Sequence, residues 1–107
     1  MEFTEAQRQV DLPTTVNAAT YTILENDRIL NVTYPTTGAC SIEIPSTFAT
    51  GEWHFLWIKD ASGNAGTNNI TITTEGAETI DGAATAVINS NYSAVGIYTD
   101  GANYFVI

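Results

Sequence analysis

Cations, thiols, histidines and long apolar runs are all scarce in these 107 residues, and each shortage closes a class of function. Arg8, Arg28 and Lys59 stand against twelve carboxylates, for a formal net charge of -9. A nucleic-acid binder displaces counterions with lysine and arginine, so no nucleic-acid partner is expected. Anionic membrane surfaces are disfavoured on the same ground. No segment approaches the ~20 apolar residues of a spanning helix. No basic region followed by an apolar stretch marks a secretory signal. Membrane insertion is therefore not expected.

Cys40 alone can close neither an internal disulfide nor a zinc site. It reads as a small buried apolar residue, in a chain that folds in a reducing cytoplasm. His54 is the only histidine and sits inside a strand pattern. A catalytic histidine needs a cleft and an orienting partner. No nucleophile elbow and no phosphate loop occur. The expectation is a non-enzymatic protein with no catalytic residue, no metal and no cofactor.

What the chain does contain is apolar matter in a period of two. Hydrophobic residues make up 44% of the sequence, enough to fill the core of one domain. Thr4, Glu5, Ala6 and Gln7 fit a capping box opening a short helix through Val10, and Pro13 ends any such helix. Residues 1–19 read as a lead-in segment or linker, with that helix and a lead-in strand as its candidate elements. Residues 20–107 read as a single all-β domain. Strands are predicted at 21–24, 28–34, 39–44, 52–59, 70–73, 79–81, 86–88, 93–99 and 102–107. Leu30, Val32 and Tyr34 share a pleat face, as do Cys40, Ile42 and Ile44. This spacing predicts a compact antiparallel β-sandwich or roll of about nine short strands.

Segment 52–59 is apolar on both pleat faces, with Trp53, Phe55 and Trp57 on one and His54, Leu56 and Ile58 on the other. Such a strand should be central and covered twice, by a second sheet or a second subunit. Asp100-Gly101 between two strand runs predicts a two-residue type I′ hairpin. Tyr104, Phe105, Val106 and Ile107 form an apolar strand, expected to be buried in the domain or at a subunit interface.

The stretch WIKDASGNAGTNNITI looks like an oxygen-ligand loop, with Asp60, Ser62 and Asn64 at alternate positions. A calcium loop then wants glycine where Ala65 stands and glutamate where Thr71 stands. The expected alternative is a structured turn. In it Gly63 and Gly66 supply positive φ, and Asp60, Asn64 and Asn68 bond their own backbone. Trp53, Trp57, Tyr92, Tyr98 and Tyr104 are the candidate binding residues, since aromatic rings stack on flat ligands and sugar faces. The tryptophans are expected in the core or an interface, the tyrosines nearer the surface.

The strings IKDASGNAGTNNITI, TIDG, VINSNYSAV and IYTDGANYFVI follow one order and spacing. Together they resemble a β-structured module found at the C-terminal ends of bacteriophage tail-fibre, tail-spike and other virion-surface proteins. The resemblance covers residues 51–107 and reaches more loosely back to Tyr21. Two departures stand out. That family often has Tyr-Gly-Ser where this chain has Tyr92-Ser93-Ala94, and tryptophan near Tyr104 or Phe105. The resemblance implies a homotrimeric structural domain on the virion surface, distal on a fibre or spike. It also implies binding to a host-surface glycan or protein receptor. Two readings stay open beside it: a trimerisation or capping domain without a ligand, and a carbohydrate-binding module of a non-viral protein.

Overall fold

The computed structural model describes residues 13–51 and 55–107. The expected helix after Thr4 falls outside the described residues, as do Trp53 and His54. The described elements are β1 (Thr14–Val16), β2 (Thr20–Thr22), β3 (Ile29–Val32), a 3-10 turn (Tyr34–Thr36), β4 (Cys40–Ile44), α1 (Ser46–Thr50), β5 (Phe55–Asp60), β6 (Ile70–Thr74), β7 (Thr85–Ile88), β8 (Ala94–Thr99) and β9 (Tyr104–Val106). The domain is all-β, and its strands form two sheets. One has five strands in the order β1-β3-β5-β8-β9; the other has four, β2-β4-β6-β7.

The sheets are mixed, which corrects the antiparallel expectation. Pairings β1/β3, β2/β4, β3/β5 and β4/β6 are parallel. Pairings β5/β8, β6/β7 and β8/β9 are antiparallel. Alternation of apolar residues fixes which side chains face inward, but it carries no information about the direction of a neighbour. A parallel pair needs a crossover, commonly a helix. Here each crossover carries a strand of the other sheet, because the chain moves from one sheet to the other at every step from β1 to β6.

The inward residues of both sheets enter a single hydrophobic cluster. Leu30, Val32, Leu56, Ile58 and Ile97 come from the five-stranded sheet; Ile42, Ile44, Ile70, Ile72 and Ile88 come from the four-stranded one. β-Branched isoleucine suits a pleated, buried surface, and each such side chain stabilises the fold by roughly 1.5–3 kcal/mol through burial. Cys40 is buried with them, its thiol donating to the Ala18 carbonyl at 3.3 Å, and burial pushes that thiol's pKa up.

Asp27 ties the two sheets together at one end. It is buried and accepts bonds from Thr14 Oγ1 on β1 (2.9 Å), Tyr21 OH on β2 (2.7 Å) and the Leu24 amide (2.9 Å). β1 lies within the segment read as lead-in or linker, and it is hydrogen-bonded into the five-stranded sheet. Burial, then the bond to Asp27 and its charge, pushes the Tyr21 phenol up to about 12.

Two local expectations are corrected. Residues 79–81 form no strand; Ile80 makes only isolated bridges, to Ala83 and Tyr104. Asp81 (φ 50°) and Gly82 (φ 81°) are instead the centre of a tight turn, closed by Ile80 N to Ala83 O at 2.7 Å and Ala83 N to Ile80 O at 2.9 Å. Positive φ at both central residues is the type I′ requirement. At Asp100-Gly101 only the glycine has positive φ (96°). Thr99 pairs with Tyr104, so the loop has four residues. The Asp100 carboxylate accepts from the amides of Ala102 and Asn103, both at 2.9 Å. That local bonding replaces the two-residue turn with an Asx-type loop.

Tyr104 is also corrected as a surface candidate. It is 0% exposed, and its hydroxyl donates to the Pro45 carbonyl at 3.2 Å. Its ring lies 6.2 Å from that of Phe48, which α1 buries. Burial, then the nearby Glu78 carboxylate, pushes its phenol up to about 12.

Candidate functional site

β5 is the middle strand of its sheet, as its composition predicts, but only one of its faces is buried. Leu56, Ile58 and Asp60 point inward; Phe55, Trp57 and Lys59 point outward. The register then assembles the outer face. Phe55, Tyr98 and Phe105 lie in one row, and Ile29, Trp57 and Gly96 in the next. Asn31, Lys59 and Ala94 follow. From Phe55 to Lys59 this is four residue steps, or about 13 Å of strand.

The rings touch one another. Tyr98 and Phe105 stack at 5.4 Å between centroids, and Phe55 meets Trp57 edge to face at 5.4 Å. Trp57 is 39% exposed and Tyr98 is 42% exposed, so the face is open. Gly96 makes the arrangement fit. A Cβ there would lie 3.0 Å from two atoms of the Trp57 ring and 3.2 Å from Phe55. Without a side chain at that position, both rings settle over β8. Among the described residues no second sheet covers this face.

Lys59 leads from this face to the loop end of the sheet. Its ammonium donates to the Tyr92 carbonyl and lies 5.9 Å from the Tyr92 ring centroid, within range of a cation–π contact. Tyr92 is 62% exposed and has φ +62°. A non-glycine residue in that region costs on the order of 1 kcal/mol, so the surroundings must hold it there.

They do so through Asp60, which is 0% exposed at the end of β5. Its Oδ1 accepts from the Ser62 hydroxyl, the Ser62 amide (3.0 Å) and the Gly63 amide (3.2 Å). Its Oδ2 accepts from the amides of Ala65 and Tyr92, both at 3.0 Å. A carboxylate has about four lone-pair sites, so these donors saturate it. Burial by itself would raise this carboxyl's pKa. The Ser62 hydroxyl and the amides of Tyr92, Ala65 and Ser62 outweigh burial and hold it below the ordinary carboxylate value.

The loop that resembled a cation cradle is thus closed on its own donors. Among the described residues no group of three or more His, Cys, Asp or Glu is placed to hold a metal. The glycines divide the work differently from the sequence expectation. Gly63 has φ +75°, and a Cβ there would lie 2.5 Å from Tyr92 Cζ. Gly66 is not at positive φ; its amide donates to Asn91 Oδ1 at 2.8 Å, and a Cβ would collide with that oxygen. Asn68 reaches out of the loop, its Nδ2 donating to the Pro35 carbonyl at 2.7 Å.

Of the sequence candidates, Trp57 and Tyr98 share the open face and Tyr92 stands at its loop end. Tyr104 is separated from them in the core. Sequence reasoning passed over Phe105, Gly96 and Lys59 as members of this site. Phe105 carried a signal, since it alternates with buried Tyr104. Asp60 was legible in part: it accepts from its own loop, as expected, through the amides of Ser62, Gly63 and Ala65, while the Tyr92 donor lies 32 residues away in sequence. A separate cleft of about 310 Å³ opens beside edge strand β2, lined by Ile23, Leu24, Pro45 and Phe48 with the polar side chains of Thr22, Glu25 and Thr47. No family model and no curated protein matches the chain.

Proposed function

We propose that the chain is a non-enzymatic structural domain of a virion fibre or spike. In this reading it is a two-sheet roll that associates as a homotrimer through the outer face of the five-stranded sheet. The loop end around Tyr92 then meets a host-surface receptor. The observation that carries the reading is the open aromatic face centred on Trp57. Among the described residues its outward positions hold no acidic residue, although the chain carries -9 overall. Charge-depleted, aromatic surface is characteristic of interface cores, and acidic copies can approach one another only where carboxylates are absent. The ordered turn motifs shared with virion-surface modules point the same way, and virion-surface placement after cytoplasmic folding follows from that resemblance.

Light scattering at micromolar concentration tests the assembly. The expected mass is three chains, falling to one in Trp57→Lys, while Thr71→Lys on the opposite sheet leaves it unchanged. A monomeric parent protein overturns the trimer. Binding of the trimer to host envelopes tests the receptor role. A trimer that binds no envelope favours a purely structural cap.

A further inference from the structure

We propose that the Tyr92 loop end is a binding site for a neutral saccharide, with the Tyr92 ring as its stacking platform. The inference rests on the receptor-binding reading above and names the ligand class. Tyr92 is the most exposed aromatic ring among the described residues, and it is held rather than free. Its amide is fixed by Asp60, its carbonyl by Lys59, and the tip of its ring by the space at Gly63. A bulky residue is thus kept at positive φ, in a conformation that leaves its ring in solvent. A ring needed only for packing would not require such support at 62% exposure.

The polar surroundings suit a sugar. Asn91 precedes Tyr92, and the Gly66 amide occupies its Oδ1, which orients the side chain and leaves the Nδ2 donors for a ligand. Asn64 follows Gly63 and brings a second side-chain amide to the same loop. An apolar ring on a loop that also carries the Asn64 and Asn91 side-chain amides suits a pyranose, which offers a C–H face to the ring and hydroxyls at its rim. The strongly acidic chain disfavours anionic sugars.

Saturation-transfer NMR on the full chain, with methyl glycosides of glucose, galactose, mannose and N-acetylglucosamine at millimolar concentration, tests the proposal. At least one glycoside is expected to receive saturation and to shift the Tyr92 ring resonances. Tyr92→Ala should weaken it at least about tenfold at unchanged oligomeric mass and melting temperature. Tyr92→Phe, which keeps the ring, should stay within about threefold. Competition by smooth lipopolysaccharide or by a neutral wall polysaccharide then identifies the source of the sugar. Absence of binding by all four glycosides and both polysaccharides overturns the proposal, as does binding that survives Tyr92→Ala. If envelopes bind the protein equally well after periodate oxidation of their glycans, the saccharide class fails while the receptor reading stands. If untreated envelopes bind nothing, the receptor reading itself fails.

Discussion

On the four-stranded sheet the outward positions are Thr20, Thr22, Ser41, Glu43, Thr71, Thr73, Thr85 and Val87. On the five-stranded sheet they include Ile29, Phe55, Trp57, Gly96, Tyr98 and Phe105. Both sets lie on strands whose other faces fill the same core. Core packing therefore cannot explain the difference. Hydroxyls on a pleated surface keep β-propensity high while remaining compatible with water. Rings on the opposite sheet do nothing for solubility, and they are settled into place by an absent side chain at Gly96. The hydroxyl face is built for solvent. The aromatic face leaves Trp57 and Tyr98 exposed.

The largest expected effect on stability comes from the residue that anchors the loop end of the aromatic face. Asp60→Asn replaces one acceptor oxygen with an NH₂ group. If that group takes the Oδ2 position, it faces the amides of Ala65 and Tyr92, and a buried and a part-buried donor lose their partner. The expected loss is roughly 2–4 kcal/mol, read from the urea midpoint at pH 7. The same substitution should flatten the acid limb of the stability profile. The folded Asp60 carboxyl titrates below its unfolded value. Its stabilising contribution is therefore complete above the unfolded pKa of about 3.9, and is lost as pH falls through the depressed folded value. An unchanged midpoint, or an unchanged acid limb, would show that the loop end does not depend on this carboxylate.

How much of this was legible in sequence depends on how local each determinant is. The inward placement of Leu30 and Val32, and of Cys40, Ile42 and Ile44, follows from alternation alone and is what the structure has; Tyr34, expected on the face of Leu30 and Val32, instead opens the 3-10 turn that Pro35 continues. Strand direction did not follow, because β1/β3 and β2/β4 are joined through the opposite sheet rather than by hairpins. The Asp-Gly rule was sound in physics and assigned to the wrong pair. Asp81-Gly82 takes the two-residue turn, while Asp100 uses its carboxylate on Ala102 and Asn103. In Tyr104-Phe105 two consecutive aromatics must face opposite ways. The pairing of Tyr98 with Phe105 decides the phase, so it becomes visible only once the sheet exists. The open face is likewise a property of register across β3, β5, β8 and β9, with no single segment announcing it.

A middle-sized effect should come from Gly96. A Cβ at this position lies 3.0 Å from the Trp57 ring, and valine adds two methyl groups beyond it. Gly96→Val should lift Trp57 and Phe55 from the sheet and cost about 1–3 kcal/mol, the usual range for overpacking. The intrinsic preference of valine for strands acts in the opposite direction, by at most ~1 kcal/mol. Changed Trp57 emission and easier iodide quenching, together with a lower urea midpoint, are the expected readouts. A more stable variant with unchanged emission would mean that the rings do not need the space at Gly96.

The smallest effect on stability is expected on the hydroxyl face, where it tests the comparison from the other side. Thr20, Ser41, Thr71 and Val87 lie in one row across the sheet. Changing Thr20, Ser41 and Thr71 together to valine leaves strand propensity nearly the same and turns the row apolar. No side-chain hydrogen bond of these three residues is needed to hold the sheet, because the backbone ladder continues through all three positions. Each change should move stability by no more than about 0.5 kcal/mol. Association should respond instead, since a contiguous apolar row on an exposed sheet invites contact between copies. Higher-order species in light scattering, formed at an unchanged urea midpoint, would place solvent compatibility as the reason for the hydroxyls. A destabilisation well beyond 1 kcal/mol without association would instead make them structural, and the contrast between the faces would lose its meaning as a guide to partners.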